Sequence, residues 1–477
     1  MARRTVRIEG ADASDLRSRL AALEDELGLP GDFPPEVLNA AELSAAAPGL
    51  PSRDRTDIQF LTIDPEGSMD LDQALHIERR DRGYRVHYAI ADVAAFVPAD
   101  GPVDLEAHQR GETFYGADHR IPLHPTVLSE GAASLLPEQV RPAVLWTIDL
   151  DATGECVEVD VHRARVLSRA KLSYTAAQQE IEGGNARPTL GLLAEVGRLR
   201  RGCDQVRGGV SLALPEQEVV ITPHRWSLQY RAQLPVEEWN AQISLLTGMA
   251  AARLMMYGQV GLLRTLPPAG SREVARLHRT AAALQIRWPA EVSYPEFIRG
   301  LDPTQPAHAA MLDACTGLLR GAGYVAFEGR VPEQPEHSAL AAEYAHVTAP
   351  LRRLADRYVG EICLALCSGD PVPDWVLRRL GDLPKEMEAA DRRGHQYDAA
   401  VLDLVEAGVL APHIGRRFTG VVTDLAGNDP KRGWVALRDP AVSARVDGER
   451  DLPLGHEVTV TLVEADLATR TVRFALA

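Results

Sequence analysis

At 477 residues, with 45% apolar and 25% charged side chains, the chain is composed like an ordinary globular protein and is too long for one typical core, so two to four domains are expected, one of them large. No run of about 18 apolar residues occurs, the start Met1-Ala2-Arg3-Arg4 lacks a signal-peptide apolar region, and the five cysteines are scattered without a CxxC; these features point to a cytoplasmic protein with neither membrane span, disulfide framework nor zinc site. The net charge of −16 counts against a broadly basic nucleic-acid surface, although residues 413–477 carry nine basic and nine acidic side chains, so a local basic groove stays compatible with an acidic exterior.

Residues 12–28 predict a capped amphipathic helix, with Leu16, Leu20, Leu23 and Leu27 in one stripe and Gly28 as its stop. A second short helix is predicted over 35–43, before a linker. The span 1–54 is thus read as a small helical N-terminal unit that either docks on the rest or stands as a minimal helical unit. From residue 58 the pattern changes to strands at 58–63 and 71–79, a turn at Asp81-Arg82-Gly83, and a strand at 84–93. Alternation places Leu71, Leu75 and Ile77 on one face of the 71–79 strand and Asp70, Asp72, Ala74 and His76 on the other. Asp64 lies across a short bend containing Pro65 and Gly67. Carboxylates crowded in a partly buried segment raise one another's pKa and are costly to bury, and a hard divalent cation such as Mg²⁺ relieves that cost. A polar loop with solvated aspartates is the alternative reading.

Strands at 144–150 and 156–165 follow, with helices at 105–112, 171–183, 190–207, 236–256, 271–285, 306–322, 348–368 and 384–408. In the 236–256 helix Trp239, Ile243, Leu246, Ala250 and Leu254 share a face that should be buried. Residues 55–412 show no repeat and read as one large α+β domain. Residues 413–477 hold five short alternating strands, the pattern of a small Greek-key barrel of the oligonucleotide-binding type.

Several stretches in order resemble the RNase II/RNase R (RNB) family of 3′→5′ exoribonucleases. FLTIDPEGSMDLDQAL is similar to the family's acidic motif, and AIADV follows at 89–93. RGETFYGADHRIPLHP (110–125), AKLSY (170–174) and EYAHVTAPLRRLADR (343–357) resemble further family segments, and GRRFTGVV (415–422) opens what looks like an S1 RNA-binding domain.

The resemblance implies a Mg²⁺-dependent, processive hydrolase acting on single-stranded RNA, or on structured RNA with a 3′ overhang, and releasing nucleoside 5′-monophosphates; a monomer is expected. An RNB-fold RNA-binding protein with weakened catalysis is the alternative. Asp64, Asp70 and Asp72 match the acids that in the family hold one ion activating water and another stabilising the leaving oxygen, while Gln73 stands where the family has a fourth aspartate and offers a neutral carbonyl oxygen that could still coordinate, with less charge to hold a second cation. Arg352 matches the catalytic arginine, with Arg353 an adjacent phosphate contact or a solvated arginine at a helix start. Thr348, Ala349 and Pro350 are expected to start that helix, Ala349 replacing the family's serine. Tyr115 matches a tyrosine that stacks on the 3′-terminal base and Tyr174 one near the ribose, with core packing the alternative for either. Leu212 replaces the usual aromatic partner. Glu237, Glu238 or Gln242 occupies the place of residues that sense the 2′-OH, and Asp391 that of an acid near the substrate path, with a solvated helix face the alternative for Asp391. Arg416, Phe418 and Trp434 are candidate contacts of the C-terminal module, Trp434 being equally a core candidate. Two cold-shock-type barrels, common in the family ahead of the acidic motif, do not fit in the residues preceding it here, so RNA is expected to meet fewer clamps.

Overall fold

The computed structural model describes residues 5–8, 14–116, 119–212, 216–222, 225–427 and 429–477; side chains at 5–8, 14–17, 216, 218–222 and 225–227 are likewise outside the description. The strands Phe60–Asp64, Gln73–Arg80, Gly83–Ala91, Val140–Asp151 and Cys156–Ser173 close into a five-stranded barrel. Its seam is the parallel pairing of first strand with last, Leu61 opposite Ala170 and Asp64 opposite Ser173. The turn entering the third strand needs Gly83, whose φ is +150° and where a Cβ would lie 2.0 Å from the Leu150 carbonyl oxygen.

Both faces of these strands are covered, which explains their nearly continuous apolar runs. Tyr84, Val86, Tyr88 and Ile90 bury with Trp146 and Ile148 in a cluster that includes the helices Pro188–Arg207, Pro235–Gly258 and Leu354–Ser368. Ala89, Ala91, Leu145 and Val166 belong to a second cluster with the helices Pro35–Ala46 and Pro102–Arg110. The Leu383–Leu410 helix, roughly 40 Å long at 1.5 Å per residue, links two cores. Leu383 and Met387 join the large barrel cluster, and Tyr397 through Leu410 join the core of a C-terminal barrel.

That C-terminal barrel contains all five expected strands, Arg417–Ala426, Asp429–Leu437, Ser443–Asp447, Glu457–Asp466 and Thr471–Leu476, and is closed. The N-terminal helices form as expected, but they share no core. Leu20 and Leu23 of Ser14–Leu27 are buried with the C-terminal barrel and the long helix, and Arg470 grips Glu26 at 2.8 and 2.9 Å. Val37 and Ala41 of Pro35–Ala46 join the other cluster instead. The Thr5–Ile8 strand adds in parallel to the hairpin of Glu216–Thr222 and Arg225–Arg231.

Three expected boundaries are corrected. The strand after the acidic bend begins at Gln73, leaving Asp70 and Asp72 in the connection before it, because the Ser134 hydroxyl takes the Leu71 N–H at 2.9 Å and donates to the Met69 carbonyl at 2.6 Å. Leu71 therefore packs with Ala74 rather than with Leu75 and Ile77. Residues 171–173 end a strand, and the following helix starts at Tyr174, where the Ser173 hydroxyl accepts the Ala176 N–H at 3.1 Å. Residues 348–353 are not helical: the helix begins at Leu354. No helix among the described residues is long and apolar enough to cross a membrane.

Candidate active site

The connection carrying Asp72 and the segment 348–353 meet through one carboxylate. Asp72 is 4% exposed; its Oδ1 accepts the Leu351 backbone N–H at 2.8 Å and its Oδ2 lies 3.3 Å from Arg352 Nε. Burial holds this carboxyl well above the usual carboxylate range, against the pull of the Leu351 N–H; the charges of Asp70, Asp356 and Asp64 push it further up. The three acids of the motif therefore feel one another. Their hard oxygen donors and mutual repulsion suit a divalent cation such as Mg²⁺. No three His, Cys, Asp or Glu side chains among the described residues form a ready cage, however. Asp70 is instead paired with Arg120 Nη1 at 2.6 Å, and Arg120 Nη2 also reaches Glu130 at 2.6 Å.

Sequence reasoning missed Arg120, although it lies inside the quoted 110–125 motif. It stands directly opposite the 44% exposed Tyr115 in a two-residue ladder, so Tyr115 neighbours the arginine that holds Asp70. Ala117 and Asp118 of the same motif lie outside the described residues. Asp64 ends the first barrel strand opposite Ser173, so Tyr174 follows at the mouth of the same seam. The Tyr88 hydroxyl is pushed up by burial and further by Tyr174, Asp64 and Asp72, which puts these groups within electrostatic reach of one point. Gln73 also touches that hydroxyl: its Oε1 accepts from Tyr88 Oη at 2.9 Å, and its Nε2 donates to the Thr348 carbonyl at 2.5 Å.

The 348–353 segment is not the helix start expected at Thr348 because buried Asp356 captures its backbone. Asp356 Oδ1 accepts the Ala349 N–H at 2.7 Å, and the carboxylate grips Arg353 through Nε at 2.5 Å and Nη2 at 2.9 Å. Arg353 thus has a bidentate structural partner. Arg352 keeps its side chain 27% exposed, while its carbonyl accepts the Thr113 N–H at 2.9 Å. The two neighbouring arginines are thus held differently, Arg353 by both oxygens of Asp356 and Arg352 beside Asp72.

Beyond Arg353 lies a polar layer. Asp391 pairs with Arg264 at 2.7 Å, Arg264 stacks 4.6 Å over the Tyr324 ring, and Tyr324 Oη lies 2.7 Å from His346 Nδ1. Asp391 is thus held inside this layer rather than on a solvated helix face. Glu112 belongs to it too: burial, then Asp391, raise its pKa to about 7, with Arg353 and Arg264 opposing. A carboxyl raised on folding stabilises the fold most below its unfolded pKa, and that advantage is lost as pH rises through about 7. Relative to Glu112→Gln, the wild type is therefore expected to lose up to about 3 kcal/mol between pH 4.5 and 8. Paired denaturation curves across that range test this, and a difference independent of pH would refute it.

Other expected residues are placed differently. Glu237 Oε1 accepts from Arg231 at 2.6 Å and from the Leu234 N–H at 3.2 Å, which closes the start of the Pro235–Gly258 helix. Glu238 is held by Arg201 at 2.7 Å. Ser244, whose hydroxyl lies 2.9 Å from Tyr88 Oη, is where this helix meets Tyr88; Gln242 is buried two residues earlier and so leaves the helix on a different face. Leu212 is half-buried against the Ser271–Ala283 and Pro306–Cys315 helices. Phe418 is corrected from stacking surface to core: it is 8% exposed and meets Phe474 edge-on, centroids 5.9 Å apart. Trp434 is 36% exposed on the adjacent strand, and Arg416 is exposed with its guanidinium 5.5 Å from the Phe418 ring centroid.

Ribonuclease R of Escherichia coli is 26% identical over 402 residues, covering 78% of this chain and 49% of its own length. Ribonuclease R of Aquifex aeolicus is 25% identical over 423 residues, covering 83% and 58%. The chain spans about half the length of the E. coli relative. In fold it is similar to Mycoplasma genitalium RNase R in complex with ribose-methylated single-stranded RNA, with a TM-score of 0.87, 18% identity, and coverage of 97% of this chain and 78% of that one. Yeast Ssd1, described as a pseudonuclease, superposes with a TM-score of 0.68 at 16% identity, covering 93% and 54%. The RNB domain matches residues 52–368 and the RNase II-type exonuclease C-terminal S1 domain matches residues 416–477, so the chain belongs to the RNB family.

Proposed function

We propose that this chain is a Mg²⁺-dependent, processive 3′→5′ exoribonuclease that hydrolyses single-stranded RNA, or a 3′ overhang on structured RNA, to nucleoside 5′-monophosphates. The observation that carries this reading is Asp72, which joins two motifs 279 residues apart by accepting the Leu351 N–H and facing Arg352. RNB-family nucleases generally depend on divalent metals. Asp64, Asp70 and Asp72 are the proposed ligands; bound there, Mg²⁺ supplies Lewis-acid stabilisation of phosphate charge and an activated water. Arg352 would meet the growing charge on the scissile phosphate. Exposed Tyr115 would stack on the terminal base irrespective of its identity, and Tyr174 would line the ribose. Gln242 is favoured over Glu238 as a ribose contact because Glu238 is committed to Arg201. Residues 55–412 would carry the chemistry, and the barrel 413–477, through Arg416 and Trp434, would hold RNA on its way in.

The second reading, an RNA-binding protein with weakened catalysis, draws on Gln73 and on the fold shared with a pseudonuclease. The retained Asp64, Asp70, Asp72 and Arg352 favour the enzyme. One assay separates the two. With Mg²⁺, 5′-labelled single-stranded RNA is expected to shorten from its 3′ end with release of nucleoside 5′-monophosphate, and chelation is expected to stop this. Binding without any shortening would leave the second reading standing.

A further inference from the structure

The family places a fourth carboxylate where this chain has Gln73, and the surroundings of Gln73 show what the amide does instead. Its Nε2 donates to the Thr348 carbonyl at 2.5 Å, and its Oε1 accepts from the Tyr88 hydroxyl at 2.9 Å. Tyr88 is 1% exposed, and its hydroxyl also lies 2.9 Å from Ser244 Oγ. Both ends of the carboxamide are therefore engaged by groups in two different elements, and Ser244 of a third holds the Tyr88 hydroxyl in turn. An aspartate could not reproduce this. It is one methylene shorter, has no N–H for the Thr348 carbonyl, and would set a negative charge against that oxygen. Position 73 is a cross-link between the first strand after the acidic connection and the segment that carries Arg352.

A second observation concerns charge. Asp70 is paired with Arg120 at 2.6 Å, so one of the three remaining carboxylates already has a cationic partner within the chain. Divalent ions held close together repel, and each needs anionic oxygens to offset that repulsion. Here position 73 contributes no anion and Arg120 partly neutralises another position. The motif thus offers less negative charge to hold a second hard cation.

Building on the reading of this cluster as a divalent-cation site, we infer that the chain holds a single divalent ion, with Gln73 serving as a structural cross-link in place of a ligand and the second ion of a two-metal arrangement missing. The test is a binding count on the full chain. Mn²⁺ is titrated by electron paramagnetic resonance, with and without a ribose-methylated RNA oligonucleotide, and the binding of an Asp64→Asn/Asp72→Asn double variant is subtracted to remove ions on the acidic surface. One site-specific equivalent is expected in both states, with the double variant losing it. Two equivalents in the wild type, in either state, overturn the inference, as does none in both.

Gln73→Asp extends the test. It should gain a second equivalent when the oligonucleotide is bound, while its melting temperature falls through loss of the Thr348 and Tyr88 bonds. Because the decisive count is made on the wild type, it stands whether or not this variant folds. The count is also separate from turnover. A wild type that binds one Mn²⁺ yet shortens no RNA would refute the exonuclease reading and support the single ion. One that shortens RNA and binds two would refute the single ion alone.

Discussion

Replacing Asp72 by asparagine is expected to lower the rate of RNA shortening by at least about 10³-fold while changing RNA affinity only a few-fold. The substitution is nearly isosteric. The asparagine Oδ1 can still accept the Leu351 N–H, so the contact between the acidic connection and the 348–353 segment is kept. What disappears is the charge facing Arg352 and shared electrostatically with Asp64 and Asp70. Stability should not fall with it. Burial already disfavours the ionised carboxyl, so a neutral side chain of the same shape removes a desolvation cost, and the melting temperature should stay level or rise. Single-turnover shortening of labelled RNA, fluorescence anisotropy and calorimetry give the three readouts. Unchanged turnover would remove Asp72 from the reaction, and a collapsed fold would refute the argument from burial.

The contacts that make Asp72 matter are also those a linear reading could not supply. The acids were legible as a cluster because carboxylates amid buried strand residues need a reason to be there. Their neighbours were not, since Leu351 lies 279 positions away and Arg120 reads as one more charge in a loop. The closed barrel was hidden for the same reason: hairpins show as alternation, but the seam pairs residue 61 with residue 170. The helix expected from Thr348 failed because Asp356, eight residues on, takes the Ala349 N–H and fixes Arg353, which overrides the helical pattern of the residues between. Phe418 could have been read correctly. It is buried between exposed Arg417 and Thr419, the plain alternation of a half-buried strand, whereas its aromatic character suggested RNA stacking. Local periodicity thus gave the number and order of the C-terminal strands, though the first two run three and four residues longer than alternation alone suggests. The site rests on a few non-local bonds and showed only as motifs.

Those bonds also set the second large effect, at Arg352. Its backbone is fixed from several sides: Asp72 accepts the Leu351 N–H, the Arg352 carbonyl accepts the Thr113 N–H at 2.9 Å, and the Leu354 N–H donates to Gly111 at 3.0 Å. A guanidinium projecting from such a frame can be aimed before substrate arrives, which is what stabilising a developing phosphate charge requires. Arg352→Lys keeps the charge but loses the planar fork, and kcat is expected to fall roughly 10²-fold with KM little changed; Arg352→Ala should lose roughly 10³-fold. A raised KM at unchanged kcat would instead mean that Arg352 only binds RNA, equally in ground and transition states. Arg353 provides the contrast. Its guanidinium is spent on buried Asp356, so Arg353→Lys breaks a partly buried bidentate pair and should lower the melting temperature more than Arg352→Lys does, with the smaller effect on kcat per folded molecule. If the two variants exchange these signatures, the roles assigned to the neighbouring arginines are reversed.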